Sequence, residues 1–576
     1  MLKTLLTYLL SVVFLINAYP TDIKFLRLRL KIDPSVKYIK ASATEVFSIT
    51  QTTMPIEIEL SDSLKINYIL HKKQKANFSH QNGIISIMPN GFWSETDSIT
   101  IDYEGIPCST GLGSTKFTIH NGEPIFWTLS EPYGAKDWFP CRQDINDKID
   151  SSFITIECPE KYNAISNGKL TKEYTKNGTR ILEFQHKYPC AYYLLGIAIT
   201  KYKTYYDYVI FDKDTFKIAN YVYPDYYEQA KRKTWKLAPV FKMFCEYFGE
   251  YPFKKESYSH AQFSWSGGME HQTVSFITDF DLDLMIHELA HQWFGNFITC
   301  KSWKDIFLNE GFATYCEHLA VEKGLASTSN EVQWRRATIN KACQLNNSCL
   351  EIMDTLDIHT LFNTRICYYK GAMVLHQLRR ELGDEIFFKA LKEYLNKETI
   401  HYKNASIKDF IDIVSEVSQR NLDWFFSQWF YGKGYPIYEI KWQQRTSEII
   451  DLNFSQQPSD GSTRFFRAKV PLMIYGENGE KILYRFNNYY QSQYFTLKTN
   501  FVVSRIVFDP NCDILSQGSQ VKKAELTVKK VRTNKRQKDL NKKSNQSKKS
   551  SYQSAACLSE PFISEGFTPN PCPPCS

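Results

Sequence analysis

The chain has 576 residues, of which 43% are hydrophobic and 15% aromatic. This length exceeds that of one domain and this composition can bury several cores, so an intrinsically disordered protein is excluded. Residues 519–576 hold twelve Lys/Arg and four Asp/Glu and therefore carry the whole formal net charge of +8. Because residues 1–518 are neutral, the sequence does not indicate a nucleic-acid-binding protein.

Residues 1–18 resemble a secretory signal peptide. They have a lysine near the start, a short apolar run and a small residue at the end. The run is shorter than the ~20 residues of a membrane span, and no other stretch is long and apolar enough. We predict a secreted or periplasmic (cell-envelope) protein with no transmembrane span in the mature chain. Export would permit disulfides among the fourteen cysteines, with Cys343 and Cys349 a candidate pair.

Residues 19–206 are predicted to form an N-terminal β-sandwich-like domain. Alternating residues or short apolar runs bounded by turns predict strands here. The clearest are Lys24–Ile32, Pro55–Leu60, Gly83–Met88, Ser98–Tyr103, Ser152–Glu157 and Arg180–Phe184.

Residues 207–436 change to helical periodicity and are predicted to form a mixed α/β catalytic domain. The apolar positions of Asp225–Phe248 predict one helix, kinked at Pro239 and ended by Gly249. Other predicted helices are Trp303–Lys323 with Gly324 as its stop, Tyr369–Leu382, Asp384–Leu395, Ser406–Val417 and Asn421–Tyr431.

Residues 437–518 return to alternation and are predicted to form a small C-terminal β domain. Residues 519–576 are rich in Lys, Ser, Asn and Gln, which predicts a disordered basic tail. This tail is either a solvated extension or a means of surface association with anionic lipids or polymers. The predicted fold class is therefore an α+β multidomain protein.

The stretch His287–His291 is an H-E-x-x-H motif. On a helix the two histidines share one face, opposite the apolar stripe that runs from Leu282 to Trp293. Glu310 follows on the next predicted helix, after eighteen intervening residues. His287, His291 and Glu310 thus form the ligand set of one catalytic zinc ion (Zn2+) with an open position, and Glu288 beside them suits a general base. A helix that carries two histidines by chance is the alternative, which Glu310 disfavours.

Several further motifs accompany this stretch and together resemble the zinc aminopeptidase family of aminopeptidase N and leukotriene hydrolase. The resemblance covers roughly residues 22–515 and implies that the catalytic domain is thermolysin-like. The motifs are Gly267-Gly268-Met269-Glu270, the H-E-x-x-H with Glu310 inside Asn309-Glu310-Gly311-Phe312-Ala313, Phe139-Pro140-Cys141, Asn163–Gly168, Tyr368-Tyr369-Lys370-Gly371, Asp423–Trp429 and Gly434-Tyr435-Pro436.

The resemblance also implies roles for residues around the zinc ligands. Tyr368 would donate a hydrogen bond to the oxyanion of the tetrahedral intermediate. Glu270, with Glu131 as a second carboxylate, would bind the free amino terminus of a peptide. A substrate could pair as an added strand where the backbone is uncovered, at Gly267, Gly268 and Met269.

Two departures from the family pattern bear on substrates. His271 stands where the family usually has asparagine after G-x-M-E, which leaves the substrate spectrum undefined. The large helical C-terminal domain of aminopeptidase N has no counterpart in this sequence, so a more open cleft is expected.

The sequence predicts a zinc-dependent aminopeptidase that acts on peptides with a free N-terminus. Three alternatives stay open: a thermolysin-like zinc endopeptidase, an epoxide-hydrolase side activity, and a non-catalytic peptide-binding protein. Glu270 distinguishes the aminopeptidase from the endopeptidase. The presence of all three predicted ligands and Glu288 disfavours the non-catalytic protein.

Overall fold

A computed structural model describes residues 21–50, 52–328 and 330–525. Among these, sheets occupy both ends of the chain and helices its middle, as predicted for an α+β multidomain protein. The predicted signal peptide and residues 526–576 of the predicted tail lie outside the described residues. No helix in the described ranges is long and apolar enough to cross a membrane.

The N-terminal region is built from three sheets. Their orders are β13-β14-β11-β1-β2-β8-β4-β5, β12-β15-β10-β9 and β3-β7-β6. The strands are β1 (Asp22–Ile32), β2 (Ile39–Ser48), β3 (Ile56–Glu59), β4 (Leu64–His71), β5 (Gln74–Lys75), β6 (Phe78–Gln81), β7 (Ile84–Ile87), β8 (Thr96–Gly105), β9 (Thr115–His120), β10 (Glu123–Thr128), β11 (Ser152–Pro159), β12 (Asn163–Ser166), β13 (Lys169–Lys176), β14 (Thr179–His186) and β15 (Ile197–Thr200).

Strand β1 shows why the alternating pattern predicted these strands. Leu26, Leu28 and Leu30 are fully buried, whereas Arg27 and Arg29 between them are exposed. Successive side chains of a strand point to opposite faces, so one face of β1 enters the core. The strand pairs antiparallel with β2 and parallel with β11, inside the eight-stranded sheet.

The middle of the chain contains a five-stranded mixed sheet of order β16-β17-β18-β20-β19. The predicted domain boundary at residue 207 falls inside its first strand, because the alternation of residues 203–210 continues across that point. The short β21 and β22 pair separately. The strands are β16 (Lys203–Ile210), β17 (Thr215–Val222), β18 (Tyr258–Gln262), β19 (Gly268–Met269), β20 (Val274–Ile277), β21 (Thr299–Cys300) and β22 (Asn404–Ala405).

Helices pack around this sheet. Three 3-10 turns, Ala135–Asp137, Tyr192–Leu194 and Trp303–Asp305, and a π-helix, Thr364–Lys370, accompany them. The helices are α1 (Tyr227–Thr234), α2 (Leu237–Phe248), α3 (Leu282–Ala290), α4 (Phe307–Glu322), α5 (Glu331–Ala342), α6 (Ile358–Leu361), α7 (Gly371–Leu382), α8 (Asp384–Asn396), α9 (Ile407–Ser418) and α10 (Asp423–Trp429).

The prediction of one kinked helix over residues 225–248 is wrong. The structure has two helices, α1 and α2, separated by a turn at Trp235 and Lys236. Pro239 lies in the first turn of α2, where a helix has no intrahelical acceptor for the N–H that proline lacks. The proline therefore belongs to the start of a new helix and does not bend an existing one.

Two glycines bring the motifs around Glu310 and Tyr368 together. A Cβ on Gly311 would lie 2.7 Å from the Phe307 ring and 3.1 Å from the Cys367 carbonyl oxygen. A Cβ on Gly371 would lie 3.0 Å from the Cα of Gly311. Only residues without a side chain permit this approach of α4 to α7.

The C-terminal region has two sheets, of order β27-β24-β23-β29 and β26-β25-β28. The ordered part extends beyond residue 518, since Gln520–Lys523, from the predicted disordered tail, pair parallel with β23. Val521 is half-buried there, which favours the strand. The strands are β23 (Pro436–Thr446), β24 (Ile449–Pro458), β25 (Ala468–Gly476), β26 (Lys481–Asn488), β27 (Ser492–Lys498), β28 (Val503–Phe508) and β29 (Gln520–Lys523).

The described cysteines are free thiols, including Cys343 and Cys349. The disulfide considered for this pair is therefore not formed. Cys343 is buried after the end of α5, whereas the Cys349 thiol donates to the Glu351 carbonyl oxygen at 3.4 Å. Proximity in sequence did not bring the two sulfurs together, because the chain turns between them.

Candidate active site

Helix α3 carries the H-E-x-x-H motif and is fixed at its start by Asp281. The Asp281 carboxylate accepts the backbone N–H groups of Asp283 at 3.0 Å and Leu284 at 3.4 Å. Such an N-cap satisfies donors that the helix itself leaves free. On the apolar side of α3, Met285, Ile286, Leu289 and Ala290 are fully buried. His287, on the other side, retains 12% side-chain exposure.

Helix α4 places Glu310 against both histidines. Its Oε2 atom lies 3.2 Å from His287 Nε2 and 3.4 Å from His291 Nε2. The two imidazole centroids are 4.7 Å apart. One donor atom from each residue lies within 4.8 Å of the other two, so all three predicted ligands can reach one ion.

The outward nitrogen of each imidazole is held by the protein. His287 Nδ1 lies 2.8 Å from Glu317 Oε1, and His291 Nδ1 lies 3.0 Å from the Phe294 carbonyl oxygen. Each Nδ1 therefore carries the proton when the ring is neutral, and each Nε2 is left with its lone pair toward Glu310. The sequence analysis missed Glu317, although it follows Glu310 by two helical turns and so shares its face.

The electrostatics of the three residues are dominated by their mutual contacts. Burial disfavours the charged Glu310 carboxylate, but the two histidines outweigh it and lower the pKa of Glu310 to about 2. Burial also opposes the charged form of His287. The carboxylates of Glu310 and Glu317 outweigh burial and raise the pKa of His287 well above its ordinary value.

This donor set fits a zinc ion. Zinc in catalytic sites takes two histidine nitrogens and one carboxylate oxygen and leaves a further position open. Glu310 is held as a carboxylate, and the carboxyl groups of Glu131, Glu270 and Glu288 lie close by, so a divalent cation would favour their charged forms as well.

Glu288 lies beside the ligands but is not one of the three. Its side chain is buried, and its Oε2 atom has no hydrogen-bond partner among the described residues. Burial raises the pKa of Glu288 to about 8, although His287 and His291 oppose the shift. A carboxyl group that gains and loses a proton near neutral pH is suited to general acid–base work.

Glu131 and Glu270 approach from two different regions and meet beside Glu310. One oxygen from each of these three carboxylates lies within 4.8 Å of the others. Burial raises the pKa of both Glu131 and Glu270, and the charge of Glu270 raises that of Glu131 further. Each has a buried Oε1 atom without a partner in the described chain. The predicted pair of carboxyl groups is thus present, and among the described residues no Lys or Arg forms an ion pair with either, although His291 lies near Glu270 and lowers its pKa.

Tyr368 stacks on the imidazole of His287, with centroids 5.9 Å apart and planes 13° apart. It lies on the π-helix Thr364–Lys370, a form that occurs mostly at functional sites. Burial and the Glu310 carboxylate raise the pKa of Tyr368 well above its ordinary value, which keeps the phenol protonated as a donor. The π-helix could not be read from the sequence.

Strand β19 contains Gly268 and Met269, two of the three residues predicted to pair with a substrate, and Gly267 directly precedes it. It pairs antiparallel with β20 on one side and ends the five-stranded sheet on the other. A Cβ on Gly268 would lie 2.7 Å from Glu288 Cγ, so glycine is required for the carboxyl group to sit there. The Met269 side chain is buried, and only its backbone serves the edge.

His271 is fully buried, with neither ring nitrogen partnered among the described residues. Its ring packs on Phe276, with centroids 4.3 Å apart, and on Gly196, where an added Cβ would lie 2.6 Å from the imidazole. Burial lowers the pKa of His271 to about 3, so the ring is neutral. The residue that departs from the family pattern is therefore a packing element of the segment that carries Glu270.

The geometry of the site and the comparison with known proteins indicate the same class of protein. The two helices that carry a His-His-Glu centre beside the edge of a mixed sheet define the metallopeptidase class. Residues 20–194 match the peptidase M1 N-terminal domain and residues 236–429 match the peptidase family M1 domain. The chain belongs to peptidase family M1.

Among curated relatives, aminopeptidase M1 of Arabidopsis thaliana is 27% identical over 379 residues, which is 62% of this chain and 42% of that protein. Glutamyl aminopeptidase of Rattus norvegicus is 26% identical over 427 residues, 68% of this chain and 44% of that protein. Aminopeptidase N of Lactococcus lactis subsp. lactis is 37% identical over 175 residues, 29% of this chain and 20% of that protein. The chain thus spans less than half the length of each of these relatives.

Among solved structures, an M1 zinc metallopeptidase from Deinococcus radiodurans superposes with a TM-score of 0.61 at 20% identity. The superposition covers 72% of this chain and 94% of that one. This likeness shows that the two proteins share a fold.

Proposed function

We propose that the protein is a zinc-dependent aminopeptidase that removes N-terminal residues from peptides. The observation that carries the proposal is the pair Glu131 and Glu270. Their buried, unpartnered oxygens lie beside the Glu310 carboxylate of the metal centre. A free ammonium group is the cation that such a pair binds by charge-assisted hydrogen bonds.

The residues around this pair provide the hydrolytic steps. A zinc ion held by His287, His291 and Glu310 would make water a better nucleophile and polarise the scissile carbonyl. Glu288 accepts the proton of the attacking water and returns it to the leaving amine. The Tyr368 hydroxyl donates to the oxyanion, a contribution of about 3 kcal/mol in comparable sites.

The substrate's ammonium group fixes where cleavage occurs. Because Glu131 and Glu270 bind the amino terminus beside the metal centre, the bond brought to Glu288 is the first one of the peptide. The open edge of β19 accepts the following residues as an added strand. An endopeptidase cleaves internal peptide bonds, so its substrate would present no ammonium group to a buried pair of acidic side chains at this end of the cleft.

A panel of fluorogenic aminoacyl substrates, each with its N-acetylated control, tests the proposal. Wild type should cleave the free substrates, lose activity with a chelator, and leave the acetylated controls intact. Glu288→Gln should lower kcat by about 1000-fold, because it removes the proton acceptor without removing a zinc ligand. Equal cleavage of free and acetylated peptides would overturn the proposal in favour of an endopeptidase. Bound zinc without activity would indicate a peptide-binding protein.

We also propose export of the protein, a secreted or cell-envelope location and a role in peptide catabolism. The apolar run in residues 1–18 supports export, and a charge-mediated surface association of the tail rests on its basic composition. N-terminal sequencing of the protein recovered outside the cytoplasm checks cleavage of the signal peptide. An intact Met1 in a cytoplasmic product would overturn this proposal.

A further inference from the structure

The segment that carries Glu270 is held by two separate parts of the molecule. From the side of the metal centre, Asn296 Nδ2 donates to the Glu270 carbonyl oxygen at 2.7 Å. Gln292 Oε1, one residue after His291, accepts the Thr273 N–H at 3.0 Å. The zinc helix and its continuation thus hold both ends of residues 270–273.

From the other side, the N-terminal β region holds the same segment through Asn167. Its Nδ2 donates to the Gln272 carbonyl oxygen at 2.7 Å and to the Leu194 carbonyl oxygen at 2.8 Å. Its Oδ1 accepts the Gly196 N–H at 2.8 Å. Asn167 is fully buried, so all three bonds are shielded from water.

A second contact reaches the side chain of Gln272. Gln272 Nε2 lies 2.8 Å from His186 Nε2 and donates to the Pro189 carbonyl oxygen at 2.9 Å. His186 Nδ1 in turn lies 2.6 Å from the Glu256 carboxylate, which fixes the imidazole as the acceptor for Gln272. The backbone and the side chain of Gln272 are therefore both fastened to neighbouring elements.

We propose that Asn167 is a positioning residue for Glu270. It neither touches the metal ligands nor faces the cleft, but it fixes the backbone two residues beyond Glu270 against the N-terminal β region, which also supplies Glu131. Asn167 thereby sets the distance between the two carboxylates that bind the substrate's amino terminus. This inference rests on the proposed aminopeptidase function.

Asn167 should affect binding of the substrate's amino terminus and not the chemical step of hydrolysis. His287 and Glu288 lie on α3, His291 directly follows it, and Glu310 lies on α4. Within the described part of the chain, no hydrogen bond or ion pair joins any of these four residues to Asn167. A displaced 270–273 segment should therefore weaken binding of the ammonium group while the metal ligands and general base stay in place. When the displaced group binds substrate without taking part in the chemical step, the loss appears in KM and therefore in kcat/KM.

The test compares Asn167→Ala with Asn220→Ala, a fully buried asparagine elsewhere in the fold that bonds to Asp207 and His260. Asn167→Ala should raise KM for free aminoacyl substrates about tenfold, change kcat less than about threefold, and retain one zinc per chain. Its preference for free over N-acetylated peptides should fall by about the same tenfold factor. Asn220→Ala should lower thermal stability without changing this preference.

Gln272→Ala serves as a second variant, because it loses the His186 and Pro189 contacts but keeps the backbone bond to Asn167. It should raise KM by a smaller factor than Asn167→Ala. An unchanged preference in both variants, with wild type selective for free peptides, overturns the positioning role alone. A wild type that cleaves blocked peptides equally well overturns the proposed function itself.

Discussion

The metal centre and the amino-terminus site are both rich in buried carboxylates, but they differ in how those charges are neutralised. At the metal centre, Glu310 contacts both imidazoles and Glu317 contacts His287. At the amino-terminus site, Glu131 and Glu270 lie close together, and each has a buried oxygen without a hydrogen-bond partner among the described residues. The first cluster is organised by hydrogen bonds within the chain, whereas the second needs a positive group from outside.

This difference indicates where specificity resides. Burial raises the pKa of both Glu131 and Glu270 because an unpartnered buried anion is costly, so a bound cation would stabilise the charged form of the pair. Under the proposed function, the metal centre would hydrolyse any peptide bond brought to it, and the Glu131–Glu270 pair would restrict that chemistry to bonds next to a free ammonium group.

Among substitutions that would change one of the two sites and not the other, Glu270→Gln should have the largest effect on activity. Replacing one charge of the pair should lower kcat/KM for free aminoacyl substrates about 100-fold, because a desolvated charge contact to the ammonium group is lost. Zinc content should not change, since His287, His291 and Glu310 are retained. Steady-state kinetics with metal analysis measures both, and Glu131→Gln is the matched variant on the other side of the pair. Loss of zinc in either variant would contradict the separation of the two sites.

A smaller effect is expected from Glu317→Gln, which changes the metal centre without removing a ligand. The 2.8 Å contact to His287 Nδ1 would become a contact to a neutral amide, which orients the imidazole less strongly. Zinc affinity should fall about tenfold, with the preference for free over acetylated substrates unchanged. Competition with a metal-binding dye measures the affinity. A loss of preference would show that the two clusters are coupled.

The smallest effect on activity is expected from Glu45→Gln, which changes a carboxyl group of the N-terminal sheet that also lacks a hydrogen-bond partner among the described residues. Glu45 is fully buried in β2, and burial and the charge of Asp147 raise its pKa to about 8, with Arg142 opposing. The folded state therefore binds this proton more tightly than the unfolded chain. The stabilisation is complete below pH ~4.5 and is lost as the pH rises through about 8.

Glu45→Gln should remove this pH dependence. At pH ~9 the variant should exceed wild type by a few kcal/mol in free energy of unfolding, given about 1.4 kcal/mol per unit of pKa, and at pH ~5 the advantage should vanish. Denaturant unfolding at the two pH values measures it, with aminopeptidase activity as the control. An equal difference at both pH values would show that the Glu45 carboxyl group ionises alike in the folded and unfolded chain.

Much of this arrangement could be predicted from local patterns. The spacing of His287, His291 and Glu310 needs only helical geometry, and alternation in segments such as residues 24–32 needs only the pleat of a strand. Prediction failed where the outcome depended on neighbours distant in sequence. The strand at Gln520–Lys523, which pairs with β23, is the clearest example. The π-helix that carries Tyr368 was also missed, and the helix break before Pro239 was missed for the local reason that a proline suits the first turn of a new helix.

The sequence by itself determined the ligand set, the general base and the alternation of sheet and helix, because each depends on residues within a few turns of one another. Tertiary structure alone decided that Glu131 meets Glu270, that Glu317 orients His287 and that Asn167 holds the segment between the two sites. Glu131 and Glu270 are 139 positions apart in the sequence, His287 and Glu317 are 30 apart, and Asn167 and Gln272 are 105 apart. The packing of α4 on α3 brings Glu317 to His287, and the packing of the N-terminal region on residues 270–273 brings Asn167 to Gln272 and Glu131 near Glu270.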